Sequence, residues 1–224
     1  MRITFVDEGV FPIHSVKLIW QDPFTPAVSM QNIMSDWIAE FDDPSPGSYG
    51  YRFMINNLFT INDPTANIYQ PDEDGKLWSF IIMDSDKQRL YNNEQYTVNI
   101  ESVNMSNDFY EDYRREQTEF KSDLDKLAVI KYGFNNITGA HTVSVIWLDP
   151  LKRIAGWGES VITPSPTGCI YNWFGLDLSD ENVSESGDYN ILMFVDGKYI
   201  TTNKFSVEQN TRQKVQMHYF NMQV

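Results

Sequence analysis

Cysteine occurs once in the 224 residues, at Cys169, so neither an intramolecular disulfide nor a cysteine-rich metal site can form. Flanked by Gly168 and Ile170, it reads as a small buried hydrophobe rather than a nucleophile. Histidine is scarce too. His14, His141 and His218 are too thinly spread for the clustered ligands of a zinc site. Positive charge is the third shortage: 17 Lys and Arg face 31 Asp and Glu, and the formal charge of −14 argues against nucleic acid and anionic membranes. No run approaches the ~20 apolar residues of a membrane span. The N-terminal Met-Arg-Ile-Thr-Phe-Val-Asp lacks the apolar stretch of a signal peptide, so the chain, taken literally, is expected to be cytoplasmic, or else a mature form whose export signal is missing. Nucleophile elbow, P-loop, dinucleotide glycine motif and HExxH are all missing. No catalytic residue, metal ligand or cofactor is therefore assigned.

What the chain does have is a stretch that occurs twice. Residues 14–23, His-Ser-Val-Lys-Leu-Ile-Trp-Gln-Asp-Pro, return at 141–150 as His-Thr-Val-Ser-Val-Ile-Trp-Leu-Asp-Pro, an offset of 127 residues. The same offset pairs Ile3 with Ile130 and Phe5 with Tyr132. Val16, Leu18 and Trp20, like Val143, Val145 and Trp147, alternate with residues facing the other way, the pattern of a half-buried strand. Asp-Pro then ends each strand. Downstream, Gly47–Phe59 echoes Gly187–Tyr199: glycine, tyrosine, alternating apolar residues, a two-residue turn and a closing aromatic. Asp196-Gly197 is a strong type I′ hairpin signal, and Asn56-Asn57 a weaker one.

Two echoes in one order predict an internal duplication: an all-β protein of two tandem immunoglobulin-like β-sandwiches. The expected boundaries are 1–105 for the first sandwich, 106–127 for a connector and 128–224 for the second. In the connector, Phe109, Tyr113, Phe120, Leu124 and Leu127 recur near helical spacing, and Asp108 with Glu111 forms a capping-box pattern. One amphipathic helix is expected there, packed between the sandwiches or against one of them. Residues 33–38 read as a short helix or an edge strand, and 90–100 as a hairpin turning near Asn92-Asn93. Residues 213–224 alternate enough for a final strand that could complete either sheet. The acidic runs at 42–43, 72–74 and 84–86 lack EF-hand spacing and read as solvated turns.

Trp20 and Trp147 sit on the apolar face of repeated strands and read as core. Trp37, Trp78, Trp157 and Trp173 are not shared between the copies. An indole in a loop offers a flat apolar face with a polar tip, which suits a sugar ring or a protein partner.

Val16–Trp20, then Gly47-x-Tyr-x-Tyr-x-Phe-x-Ile55, then Asn62-Asp-Pro-x-Ala-Asn67 and Trp78-Ser79 resemble the early-set immunoglobulin-like modules. The nearest branch is the starch- and glycogen-binding modules. That resemblance covers the first module and implies Trp37, Asn67 and Trp78 as sugar-side residues. With Trp157 and Trp173 they make up the expected ligand-binding set. The expected function is non-catalytic binding of a glycan or a protein partner. The alternative is a structural or assembly component of a surface, a pilus or a phage particle, acting through sandwich edges.

Overall fold

The computed structural model describes residues 1–42, 44–66, 68–90, 97–109 and 116–209. Asn67, the expected Asn92-Asn93 turn and the tail strand at 213–224 lie outside the described residues.

Among the described residues, ten strands build the first half: β1 (Arg2–Val6), β2 (Val16–Trp20), β3 (Val28–Ser29), β4 (Gln31–Ile33), β5 (Asp36–Glu40), β6 (Gly47–Ile55), β7 (Phe59–Ile61), β8 (Tyr69–Pro71), β9 (Leu77–Met83) and β10 (Arg89–Leu90). Eight build the second: β11 (Thr97–Ser106), β12 (Glu119–Lys121), β13 (Leu127–Thr138), β14 (His141–Leu148), β15 (Ile154–Ile162), β16 (Cys169–Asp177), β17 (Gly187–Val195) and β18 (Lys198–Glu208).

The second half is a two-layer sandwich. One sheet runs β11-β13-β16 and the other β12-β18-β17-β14-β15. The inner faces share one core, including Tyr132 and Phe134 from the first sheet and Val145, Trp147, Tyr189 and Phe205 from the second. This two-sheet arrangement, with a buried tryptophan on β14, is immunoglobulin-like. The first half repeats it: β1-β5 corresponds to β13-β16, and β3-β2-β6-β9 to β15-β14-β17-β18.

Side-chain bonds repeat along with the strands. Tyr49 donates its hydroxyl proton to the Ser45 carbonyl (2.8 Å), and Tyr189 to the Glu185 carbonyl (2.9 Å), a tyrosine corner in each half. Both two-residue turns have positive φ throughout, at Asn56-Asn57 and Asp196-Gly197. The first turn residue also bonds back to the start of the repeated strand. Asn56 Oδ1 accepts from the Ser15 N–H and Asp196 Oδ1 from the Thr142 N–H.

No helix is present among the described residues, which overturns the helix expected over 106–127. Ser106 closes β11, Glu119–Lys121 runs parallel to β18, and Leu127 opens β13. Phe120 is sealed in the core, edge-on to Phe205 at 5.6 Å, whereas Leu124 is 75% exposed, so the helical stripe does not share a face. The Asp125 carboxylate takes the Lys121 N–H (2.9 Å) and the Asn107 amide (3.0 Å), holding a turn where the helix would run. The expected hairpin at 90–100 is also divided. β10 pairs with β9, whereas β11 pairs with β13, so the second sandwich begins before residue 106. Residues 31–33 and 36–40 are strands, which resolves the open choice at 33–38 in favour of β structure.

The expected half-buried repeat strand is half-buried only once. All eight residues of β14 are buried, because its second face meets the first sandwich. Ile146, Leu148, Leu192 and Phe194 join the first half's core, with Phe11 edge-on to Phe194 at 6.2 Å. Arg52, fully buried, forks onto the Glu159 carboxylate, and Asn62 donates to the Thr142 hydroxyl (3.0 Å). The two sandwiches are thus joined by an apolar face with a buried ion pair.

Candidate functional site

The duplication shows what the fold alone needs at each place, so a site is sought where the copies differ. They differ at the repeated tryptophan. Trp147 is 1% exposed and lies edge-on to Phe205 at 5.6 Å. Phe205 stands opposite the corner tyrosine Tyr189; the residue opposite Tyr49 is the smaller Ile81. Trp20 is only half-buried, with Phe41 at 5.6 Å and Tyr51 at 6.4 Å.

The loop after the repeat widens the difference. In the second copy Asp149 is bridged by Arg153 Nε (2.6 Å), and the same guanidinium reaches Glu185 (3.0 Å), closing the strand loop against the tyrosine corner. In the first copy no arginine stands after Asp22-Pro23. Asp22 instead accepts from the Thr25 hydroxyl (2.6 Å) and the Phe24 N–H (3.1 Å), closing only its own turn. The corner stays open, and a cavity of about 660 Å³ lies there. Trp20, Phe41, Tyr49, Val28 and two prolines, Pro26 and Pro44, wall it; Gln21, Asp22, Thr25 and Ser48 supply polar groups. Gly50 gives the Gln21 side chain its room, since a Cβ there would meet both Gln21 and Phe80.

The cavity's electrostatics follow from these bonds. The Thr25 hydroxyl, then the Phe24 N–H, hold the Asp22 carboxyl below the usual carboxylate range, so it remains an acceptor. None of the described lining side chains is cationic. An apolar, aromatic chamber of this size with a few hydrogen-bonding groups has the general form of a small-molecule site. Its chemistry suits a neutral ligand with an apolar face and hydroxyl groups, and disfavours an anion.

The residues expected from sequence are dispersed. Trp37 lies in β5 opposite Phe5, facing the core, and is 8% exposed; strand alternation, not a loop, sets its orientation. Trp78 lies on the outer face of β9, its indole N–H donated to Asp72 (2.8 Å) and the Lys76 ammonium 5.9 Å from the ring centre. Trp157 is 51% exposed at the junction of the sandwiches, tilted against Phe59 at 6.1 Å. Trp173 sits beside Tyr171 on β16, with the Lys131 ammonium over both rings at 4.9 and 4.2 Å. None of these four lines the Trp20 cavity. Cys169, expected buried, is partly exposed and donates to Glu101. Asp72, in one of the acidic turns, is occupied by the N–H groups of Asp74 and Lys76 and by Trp78.

Sequence reasoning assigned Trp20 to the core because the repeat did. The missed signal was Arg153, which has no counterpart among residues 24–28.

No protein-family profile and no curated protein matches the sequence. Similar solved structures include an immunoglobulin-like protein from Pseudomonas aeruginosa, at 15% identity and TM-score 0.38 over 51% of this chain and 98% of that one. A β-glucosidase from Listeria innocua is 9% identical, at TM-score 0.32, over 54% of this chain and 16% of its own. A maltogenic amylase from S. marinus is 13% identical, at TM-score 0.30, over 92% of this chain and 28% of its own. This chain thus spans about a sixth and about a quarter of those two enzymes, and the likenesses carry no argument about its activity.

Proposed function

We propose that the protein is a non-catalytic binding protein that takes a neutral sugar ring, as the end of a glycan, into the cavity beside Trp20. The observation that carries this reading is the contrast between the copies. The fold buries Trp147 against Phe205 and closes the loop that follows it with an arginine bridge, and leaves Trp20 beside an open cavity. An indole wall offers the apolar face of a pyranose a stacking surface, while Asp22, Gln21 and Ser48 can receive or donate to its hydroxyls. The first module's resemblance to starch- and glycogen-binding modules makes α-glucans the first probes, although Trp37 and Trp78, two of the sugar-side positions that resemblance implies, lie elsewhere.

Calorimetry and tryptophan fluorescence against starch, glycogen, maltooligosaccharides and cell-wall polymers test the proposal. Binding is expected to fall at least tenfold in Gln21→Ala and in Ser48→Ala, and to be untouched in Trp173→Ala. Silence across the whole panel, or loss of binding only in Trp173→Ala or Trp78→Ala, would overturn it.

A further inference from the structure

The two halves differ a second time, at a sheet edge. In the second sandwich β11 runs antiparallel along β13, with Met105 opposite Ile130, Asn104 opposite Lys131 and Val103 opposite Tyr132. Its register slips between Ile100 and Ser102, so the side chains it turns to the core are Val98, Ile100, Val103 and Met105. In the first sandwich the counterpart of β13 is β1, which ends its sheet; among the described residues no strand lies along its outer side. Met1 and Phe41 exchange both main-chain bonds. By the alternation of an antiparallel ladder, Ile3 and Phe5 then bond to β5, and Arg2, Thr4 and Val6 turn their main-chain groups outward. Val6 is 56% exposed. Such an edge is a template for an added strand.

The sequence contains a second stretch with the β11 pattern. Val215-Gln-Met-His-Tyr-Phe-Asn-Met222 matches Val98-Asn-Ile-Glu-Ser-Val-Asn-Met105 position by position. Val215, Met217, Phe220 and Met222 reproduce the spacing of Val98, Ile100, Val103 and Met105, including the extra residue where β11 slips register. A plain alternating strand would not carry that break. The tail leaves from the far end of β18. That strand begins at the Asp196-Gly197 turn, beside the first sandwich, and its 11 residues carry the chain about 33 Å away from it.

We propose that residues 215–222 of one molecule add to β1 of a second molecule as β11 adds to β13, joining copies head to tail. The two offsets fix the register: Met222 opposite Ile3, Asn221 opposite Thr4, Phe220 opposite Phe5 and Tyr219 opposite Val6. Because the donor and acceptor surfaces differ, the contact is heterologous and propagates into chains or rings rather than closing as a symmetric dimer.

Cysteine pairing in the full chain tests this. Thr4→Cys and Asn221→Cys are made in separate Cys169→Ser chains, which are mixed, dialysed and oxidised; directly opposed strand residues lie within disulfide reach. The expected product is a mixed disulfide dimer. It is lost when a peptide of residues 213–224 is added in excess and when Phe220→Asp is placed in the donor, and Thr4→Cys with His218→Cys gives little of it. Light scattering of the unmodified protein should show mass rising with concentration, and a monomer after removal of residues 210–224. A strict monomer at all concentrations, an intramolecular disulfide in a chain that carries both Thr4→Cys and Asn221→Cys, or equal cross-linking at every tail position would each overturn the proposal. None of these readouts depends on glycan binding.

Discussion

The Arg52 guanidinium and the Glu159 carboxylate meet across the junction of the two sandwiches, in a pocket that leaves Arg52 no contact with water and its Nε without a partner. The second guanidinium nitrogen also donates to the Thr60 carbonyl (3.1 Å), so the arginine is fixed by its own half and neutralised by the other. A charge buried this way depends on its counter-ion.

Glu159→Gln is expected to destabilise the protein by about 3–5 kcal/mol, because it strands the Arg52 charge. The double change Arg52→Met with Glu159→Leu should recover most of that loss, since two apolar groups fill the same space without an unpaired ion. Urea unfolding of the three variants checks this. A single variant within about 1 kcal/mol of wild type would show that water reaches the pair.

At Gly197 the two halves approach each other closely. Its φ is +86°, and a Cβ would collide with the Asn62 carbonyl carbon and oxygen. Gly75 has a similar φ of +79° with nothing near the corresponding Cβ. Gly75→Ala should therefore cost only backbone strain, about 1–2 kcal/mol. Gly197→Ala should cost more, and the excess measures the junction. At roughly 2–4 °C per kcal/mol for a chain this size, calorimetric melting resolves the difference. Equal losses would mean that the turn shifts off Asn62 freely.

The architecture was legible where it rested on local chemistry repeated in order. Asp-Pro ends, positive-φ turn residues and strand alternation announce themselves in a single segment, and their second appearance in the same order, 127 residues on for the Asp-Pro strand and 140 for the hairpin, revealed the duplication. What escaped was set by partners distant in sequence. Phe120 and Leu124 share a helical stripe on paper, but β18 draws Phe120 into a ladder and the Asp125 turn releases Leu124 to solvent. Ile146 reads like Ile19, yet Ile146 is sealed and Ile19 is not, because only the second sandwich offers that face to the other half. The candidate cavity was hidden for a related reason: its walls come from three separated segments, and its openness depends on residues that the first copy does not have.

His141 opens the repeated strand of the second half, at 2% exposure, with Nδ1 2.6 Å from Asp196 Oδ2 and Nε2 near the Thr97 and Thr138 carbonyls. Burial works to lower its pKa, but the hydrogen bond and charge of Asp196, helped by the two carbonyls, outweigh it, and the net shift is upward from 6.5. A group whose pKa is raised by folding stabilises the native state fully below its unfolded value and loses that contribution as pH climbs through the folded value. Stability should thus decline above about pH 6.5, as the imidazolium loses a proton and its charge no longer pairs with Asp196. His141→Gln should be less stable than wild type at pH 6, and the gap should narrow toward pH 8.5. Parallel urea titrations at those two pH values decide it. A gap that is constant or widens with pH would mean that His141 is neutral when folded and serves only as a donor to Asp196.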